Sequence, residues 1–368
     1  MLCVRVEHSA EADNRSEGGC LSCNYLRRGA ALWAALFLVI SSGCVRSKVQ
    51  ENQPEDVISP GGPFLKSFTT VDPAQLDLAN RYLPAVALKV PAKEKDAQDF
   101  CSGVLISPRL VLTAAHCVCL RRDVTEEDRD KVRAAVYKAS KDDPKKVRDS
   151  QVDEYMEAGN ALIDTKLCSN PTTVTVTRYL SNSASDEGPL RAETMDIRAQ
   201  KIIPHPDFLV VYNRQNEAIF KEVDLAMVVL KDGVGELPGP VKLAQVEVRR
   251  RNRVAMVGYG FGNTEKTDKQ KGNRLAGDSV IVDILGSGSG DVIFHAREEP
   301  ADGGVPSGIY GGDSGGPCFS KADDSMLIGI ATSVTSHDAR EKRSVFTSIF
   351  PHVKWIRQLA AVEGERVQ

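Results

Sequence analysis

The chain has 368 residues, of which 42% are hydrophobic and 26% charged, proportions of a globular protein able to bury a core rather than of a disordered or fibrous one. Its 47 basic and 50 acidic side chains leave a formal net charge of −3, with no basic excess for neutralising phosphates. The short run Arg249, Arg250, Arg251 and Arg253 therefore reads as a solvated surface, and no nucleic-acid partner is expected.

At the N-terminus, residues 1–25 carry Cys3, Cys20 and Cys23. The CxxC spacing of Cys20 and Cys23 has no second ligand pair, so neither a metal nor a redox site is read there, and a start codon assigned too early is the simpler account. Arg27 and Arg28 then precede an apolar stretch over 30–40, followed by Ser41, Ser42, Gly43 and Cys44, the order of a signal peptide. The stretch is too short to span a bilayer, which takes about 20 helical residues. The approach to Cys44 resembles the lipobox of bacterial lipoproteins, which implies lipidation of Cys44 and membrane attachment through the lipid alone. Ser41 stands where that motif usually has an aliphatic residue, so a plain secretory signal cleaved nearby is the alternative. Residues 45–70, with Pro54, Pro60, Gly61, Gly62 and Pro63 and no periodicity, read as a tether.

Beyond the tether come short β-type runs at 85–90, 103–106, 110–114, 173–180, 224–230, 253–257, 279–284, 326–334 and 343–349, most of them separated by Gly, Pro, Asn or Asp. That pattern predicts an all-β barrel or sandwich. Two amphipathic helices interrupt it, over 125–141 with Val132, Ala135, Val136 and Ala139 on one side, and over 150–161 with Val152, Tyr155 and Met156 at helical spacing. Thr125 and Asp128 are placed like a capping box, and both helices are expected to pack on the barrel. At the C-terminus, 351–360 puts Val353, Ile356 and Leu359 or Ala360 on one stripe, a docking helix.

Two segments carry chemistry, Thr113-Ala114-Ala115-His116-Cys117 and Gly312-Asp313-Ser314-Gly315-Gly316-Pro317. A serine hydroxyl is a weak nucleophile until a base removes its proton, and that base must be held in one tautomer by a carboxylate. Glycines around Ser314 allow a tight turn that aims the N–H groups of Gly312 and Ser314 at one spot, where they can stabilise an oxyanion. Together the segments resemble the TAAHC and GDSGGP signatures of the trypsin-like serine proteases. The resemblance implies two six-stranded antiparallel β-barrels, with His116 as general base and Ser314 as nucleophile. Asp224, which opens the run Asp224-Leu225-Ala226-Met227-Val228-Val229-Leu230 after a His205-Pro206 turn, is the orienting carboxylate by family order. Asp224 to Ser314 is 90 positions (314 − 224) against roughly 93 in well-studied members, whereas His116 to Asp224 is 108 (224 − 116) against roughly 45. The excess falls on a helical insert at about 120–165.

The resemblance also implies a disulfide between Cys101 and Cys117. Cys119 and Cys168 remain as a second pair, and Cys318 is left as a buried free thiol. In the family a freed Ile-Val-Gly-Gly amine pairs with the Asp before the nucleophile, here Asp313, but no such segment occurs: neither Ile58-Ser59-Pro60-Gly61 nor Val71-Asp72 supplies it ahead of Leu83-Pro84-Ala85-Val86, which resembles the family's first strand.

The whole implies a peptidase domain over 71–368, a serine endopeptidase exported to the outer membrane, periplasm or medium, acting on protein or peptide substrates with no metal or organic cofactor. Its oligomeric state is not legible. Gly258 and Gly260 lack the context of a dinucleotide site, and although Gly312 to Gly316 satisfies GxSxG, the order of triad residues excludes an α/β-hydrolase. A catalytically silent relative that uses the fold as a binding module is the alternative. Gly308 where trypsin itself has an Asp, with Thr332 beside the substrate strand and Val334 and Ser344 on the pocket walls, implies a narrow slot for a small uncharged side chain.

Overall fold

The computed structural model describes residues 76–91, 98–139, 149–168, 172–180, 191–215, 218–235, 241–261, 272–286, 291–297, 307–336 and 342–368. The CxxC pair, the signal and lipobox residues, Cys44, the tether and the residue-71 boundary lie outside them.

The first barrel begins with β1 (Ala85–Pro91), β2 (Gln98–Ser107) and β3 (Leu110–Thr113), followed by one turn of helix, α1 (Ala115–Val118). The chain then leaves the barrel through β4 (Cys119–Asp123), α2 (Arg129–Ala139), α3 (Asp149–Ala158) and β5 (Gly159–Cys168), and returns with β6 (Thr173–Leu180) and β7 (Arg191–Pro204). A second excursion, β8 (Leu209–Asn213) and β9 (Ala218–Glu222), precedes β10 (Ala226–Leu230). The strand order β1-β2-β3-β10-β7-β6 closes on itself through antiparallel pairing of β6 with β1. All of β3 and β10 is buried, which is why both read as unbroken apolar runs rather than alternating ones.

The second barrel is built from β11 (Lys242–Leu243), β12 (Arg253–Gly258), β13 (Leu275–Gly286), β14 (Val292–Arg297), β15 (Pro317–Ser320), β16 (Asp323–Ser336) and β17 (Lys342–Ser348). β16-β15-β12-β13-β14-β17 closes because β17 pairs with β16, while β11 joins β16 in parallel from outside the ring. Val254, Met256, Ile281, Phe294 and Phe346 fill this barrel. The final helix α4 (Val353–Val362), entered through a 3-10 turn at Phe350–His352, buries Ile356 and Ala360, as its stripe predicts. The expected fold, two six-stranded barrels with a C-terminal helix, is the observed one.

The insert departs from its sequence reading. Instead of two helices lying on a barrel, it is half strand: β4, β5, β8 and β9 form a separate four-stranded sheet. The helices cover this sheet, with Val132, Val136 and Val152 packed on Leu162, Leu209, Val211 and Phe220 in a core of their own. The capping box forms as read, Thr125 and Asp128 satisfying each other's backbone N–H, but it caps a 3-10 turn, Glu126–Asp128, and the α-helix starts at Arg129. The second helix stops at Ala158 because the chain turns into β5.

The barrels are joined by a buried ionic centre. Arg274, fully buried, pairs through Nε with Asp77 Oδ2 at 2.8 Å and reaches Asn80 Oδ1 and the Thr177 carbonyl. Tyr259, at the end of β12, donates its hydroxyl to the Ala85 carbonyl of β1 at 3.1 Å. A guanidinium with this many acceptors avoids the cost of an unpaired buried charge.

Candidate active site

The site lies where the barrels meet. β3 delivers His116 on the one-turn helix that follows it, and the antiparallel register of β10 on β3, Ala226 opposite Thr113, sets Asp224 beside it. His116 Nδ1 lies 2.7 Å from Asp224 Oδ2, and the His116 backbone N–H donates to Asp224 Oδ1 at 2.9 Å. A carboxylate can only accept, so Nδ1 carries the proton and Nε2 is the free basic nitrogen. Asp224 is fully buried; burial alone would raise its pKa, but the charges of His116 and Lys221 and the two hydrogen bonds from His116 outweigh it and hold the carboxyl well below the usual range. Just upstream, Val223 sits at φ 30, a strained value for a β-branched residue, and its N–H donates to Asp291 Oδ2.

Ser314 is carried by the turn that leads into β15. Its carbonyl accepts from the Ser102 N–H of β2 at 2.7 Å, so the turn is anchored on the other barrel. The disulfide between Cys101 and Cys117 ties β2 to α1. Its Cys117 sulfur lies 3.5 Å from the Ser314 carbonyl oxygen and 3.9 Å from His116 Nε2, so the base and the nucleophile's residue meet at one point. Among the described residues the Ser314 hydroxyl makes no hydrogen bond, to His116 included; such contacts are often long in unliganded enzymes and tighten on the substrate.

Backbone geometry shapes the anion site. The Gly311 carbonyl accepts from the Phe261 N–H at 3.0 Å, and a planar trans peptide then points the Gly312 N–H the opposite way. On its other side, the Gly312 carbonyl accepts from the Ser102 hydroxyl at 2.9 Å, which in turn accepts from the Tyr259 N–H at 2.9 Å. Among the described residues, the N–H groups of Gly312 and Ser314 donate to no protein acceptor. Gly315, at φ 83, has no room for a side chain: a Cβ would overlap Thr113 Oγ1 and the Ser102 carbonyl.

Asp313 is held by the chain itself, Oδ1 accepting from Gly260 N–H and Oδ2 from Tyr310 N–H, both at 2.8 Å. The glycines at 258 and 260, dismissed as a nucleotide motif, have their reason here, since a Cβ on either would collide with this carboxylate. A cavity of about 50 Å³ adjoins it, lined by Met256, Leu275, Gly277, Ser307, Gly308 and Tyr310 among others.

Of the residues assigned to the specificity pocket from the sequence, Gly308 lines this cavity and Thr332, Val334 and Ser344 do not; Val334 and Ser344 are direct cross-strand partners on β16 and β17. Ser344 is buried and its hydroxyl accepts from the Ile309 N–H at 3.0 Å, bringing the wall next to Gly308, while Val334 is 45% exposed. Thr332, at a bulge between the two strands, donates to the Val345 carbonyl at 3.2 Å. Cys119 and Cys168 are disulfide-bonded and opposite one another on β4 and β5, and Cys318 is a buried free thiol. Sequence reasoning missed Lys221, whose Nζ lies 3.0 Å from Asp224 Oδ2. Its only sequence signal was its place three residues before the acid.

Residues 101–330, more than half of the chain, match the family model described as a trypsin-like peptidase domain. No curated protein matches the chain.

Proposed function

The chain belongs to the trypsin-like peptidase domain family, and from that premise we propose that it is a serine endopeptidase using Ser314, His116 and Asp224. The observation that carries the reading is the 2.7 Å contact between His116 Nδ1 and the buried Asp224 carboxylate, which leaves Nε2 as the base. Ser314 Oγ attacks the scissile carbonyl carbon while its proton passes to His116 Nε2, and the carbonyl oxygen becomes an anion facing the Gly312 and Ser314 N–H groups. Collapse of this intermediate breaks the C–N bond; the amine leaves with the proton from His116, and Ser314 holds the acyl group as an ester. Water then attacks the ester, giving its proton to His116, and the acid product departs as the serine regains its hydrogen. Hydrolysis of a general protein substrate, measured in the parent, Ser314→Ala and His116→Ala proteins, tests the assignment. Activity lost in both variants with the circular dichroism unchanged is expected, and turnover retained by Ser314→Ala would remove the serine from the mechanism.

The reading extends to the N-terminal region and to specificity. The signal segment from Arg27 to Gly43 exports the protein and Cys44 carries lipid, giving a peptidase domain over 71–368 tethered to a membrane; Val45 rather than Asp after the cysteine favours the outer one. The order of basic, apolar and small residues supports this, as do two disulfides, which persist in oxidising compartments. Cys44→Ala should release the protein from the membrane fraction. On the acyl side, a small uncharged residue is favoured: Gly308 offers no counter-charge to Lys or Arg, and side chains at Val334 and Ser344, by the family resemblance, would narrow the slot. A peptide-library cleavage profile dominated by Arg, Lys, Phe or Tyr would reject this.

A further inference from the structure

Three strands of the accessory sheet converge on the acid end of the triad. From β9, Lys221 places its ammonium 3.0 Å from Asp224 Oδ2, the same oxygen that faces His116 Nδ1. From β8 comes Tyr212, whose hydroxyl is pushed up to about 12 by burial and by the charge of Asp224. From β4 comes Arg121, whose guanidinium stands 4.4 Å from the centre of the Tyr212 ring. Asp291 accepts from the Val223 N–H and lies 3.1 Å from His352 Nε2, holding the segment that carries Asp224. One carboxylate oxygen thus serves two cations whenever His116 is protonated. Lys221 is only about one-fifth exposed, so water screens it incompletely.

We propose that Lys221 is a positioning residue, through which the accessory sheet clamps Asp224 Oδ2 and limits the negative charge that the His116 imidazolium meets. The clamp has two physical effects. It fixes the carboxylate rotamer with a second ligand, so Asp224 does not depend on His116 alone to stay aligned. It also opposes protonation of His116, because a cation on the shared oxygen offsets part of the attraction between imidazolium and carboxylate. The neutral base that Ser314 requires therefore persists to lower pH. The four-stranded sheet then has a role beyond covering its own helices: it completes the environment of the triad acid.

This inference rests on His116 and Asp224 forming the catalytic pair, and its test does not require turnover. The full-length protein carries six histidines; the His116 imidazole resonance, identified by its loss in His116→Ala, is followed against pH by NMR. In Lys221→Met the protonation midpoint of His116 should rise by about one pH unit, and in Lys221→Arg it should stay near that of the parent. Should Lys221→Met not fold, Lys221→Gln takes its place with the same rise expected. An unchanged or lowered midpoint in the folded, uncharged variant overturns the proposal. In the active enzyme the acid limb of kcat/KM should move with the NMR midpoint, leaving the high-pH plateau much less affected. A parent protein with no turnover at all would instead defeat the proposed peptidase function while the NMR titration still decides the role of Lys221.

Discussion

The two halves of the site are held by different physics. At the His116 and Asp224 end the contacts are ionic and covalent: a buried carboxylate between an imidazole and an ammonium, with a disulfide bracing the helix that carries the histidine. At the Ser314 end the shape comes from glycines and from neutral hydrogen bonds to the turn's carbonyls, by Phe261 to Gly311 and by Ser102 to Gly312 and Ser314, with the Gly260 and Tyr310 N–H groups holding the Asp313 carboxylate. The first end needs particular side chains and tolerates little change of charge. The second needs particular dihedral angles and tolerates little change of volume.

Substitutions that respect shape but remove charge should therefore separate the two. The largest effect expected is from Asp224→Asn, which keeps the volume but lets His116 adopt the wrong tautomer; kcat should fall by about four orders of magnitude, with thermal stability changed far less. A drop of only a few-fold would show that the carboxylate does not orient the base.

Next in size, the disulfides can be removed one at a time. In the chain-entropy account, replacing Cys119 and Cys168 by Ala, which opens a 49-residue separation, should cost about 4 kcal/mol. Replacing Cys101 and Cys117, only 16 apart, should cost about 3 kcal/mol. The first pair closes the insert and the second braces His116, so urea denaturation should rank the first as more damaging to stability, and a peptidase assay should rank the second as more damaging to activity. The reverse ranking would mean that the insert, not the histidine loop, organises the base.

The smallest effect belongs to the backbone end. Ser102→Ala leaves the Gly312 carbonyl and the buried Tyr259 N–H without their shared partner and should cost about 1 to 3 kcal/mol of stability. It should lower kcat several-fold at nearly constant KM, since the N–H of Gly312 acts on the oxyanion rather than on the ground state. An effect confined to KM would place Ser102 in substrate binding instead.

The legibility of these regions in the sequence differs for the same reason. Strands buried on both faces, such as Ala226–Leu230 and Leu110–Thr113, announce themselves as apolar runs. Three of the accessory strands do not: Cys119–Asp123 is charged, Ala218–Glu222 is only five residues long and ends in Lys221 and Glu222, and Gly159–Cys168 begins where the α3 periodicity had not yet faded. Arg191–Pro204 alternates exposed and half-buried positions with charges throughout, so it has no apolar signature either. Whereas the one-turn helix Ala115–Val118 that carries His116 left no helical pattern of its own, the segments around Ser314 and His116 were readable because they resemble the signatures of a known family. Lys221 was not, because a lysine in Lys221-Glu222-Val223-Asp224 looks like solvated charge until β9 is known to turn it toward the acid. The bond of Asp313 to the Gly260 N–H likewise joins positions that come together only when β12 pairs with β15.

The most direct test of the account is reaction of the folded, full-length protein with a fluorophosphonate, with the modified peptide located by mass spectrometry. A serine activated by His116 should be labelled at Ser314 alone, and the label should vanish in His116→Ala as well as in Ser314→Ala. Label appearing elsewhere, persisting in Ser314→Ala, or failing to appear on the folded parent would contradict the assignment of Ser314 as the activated nucleophile.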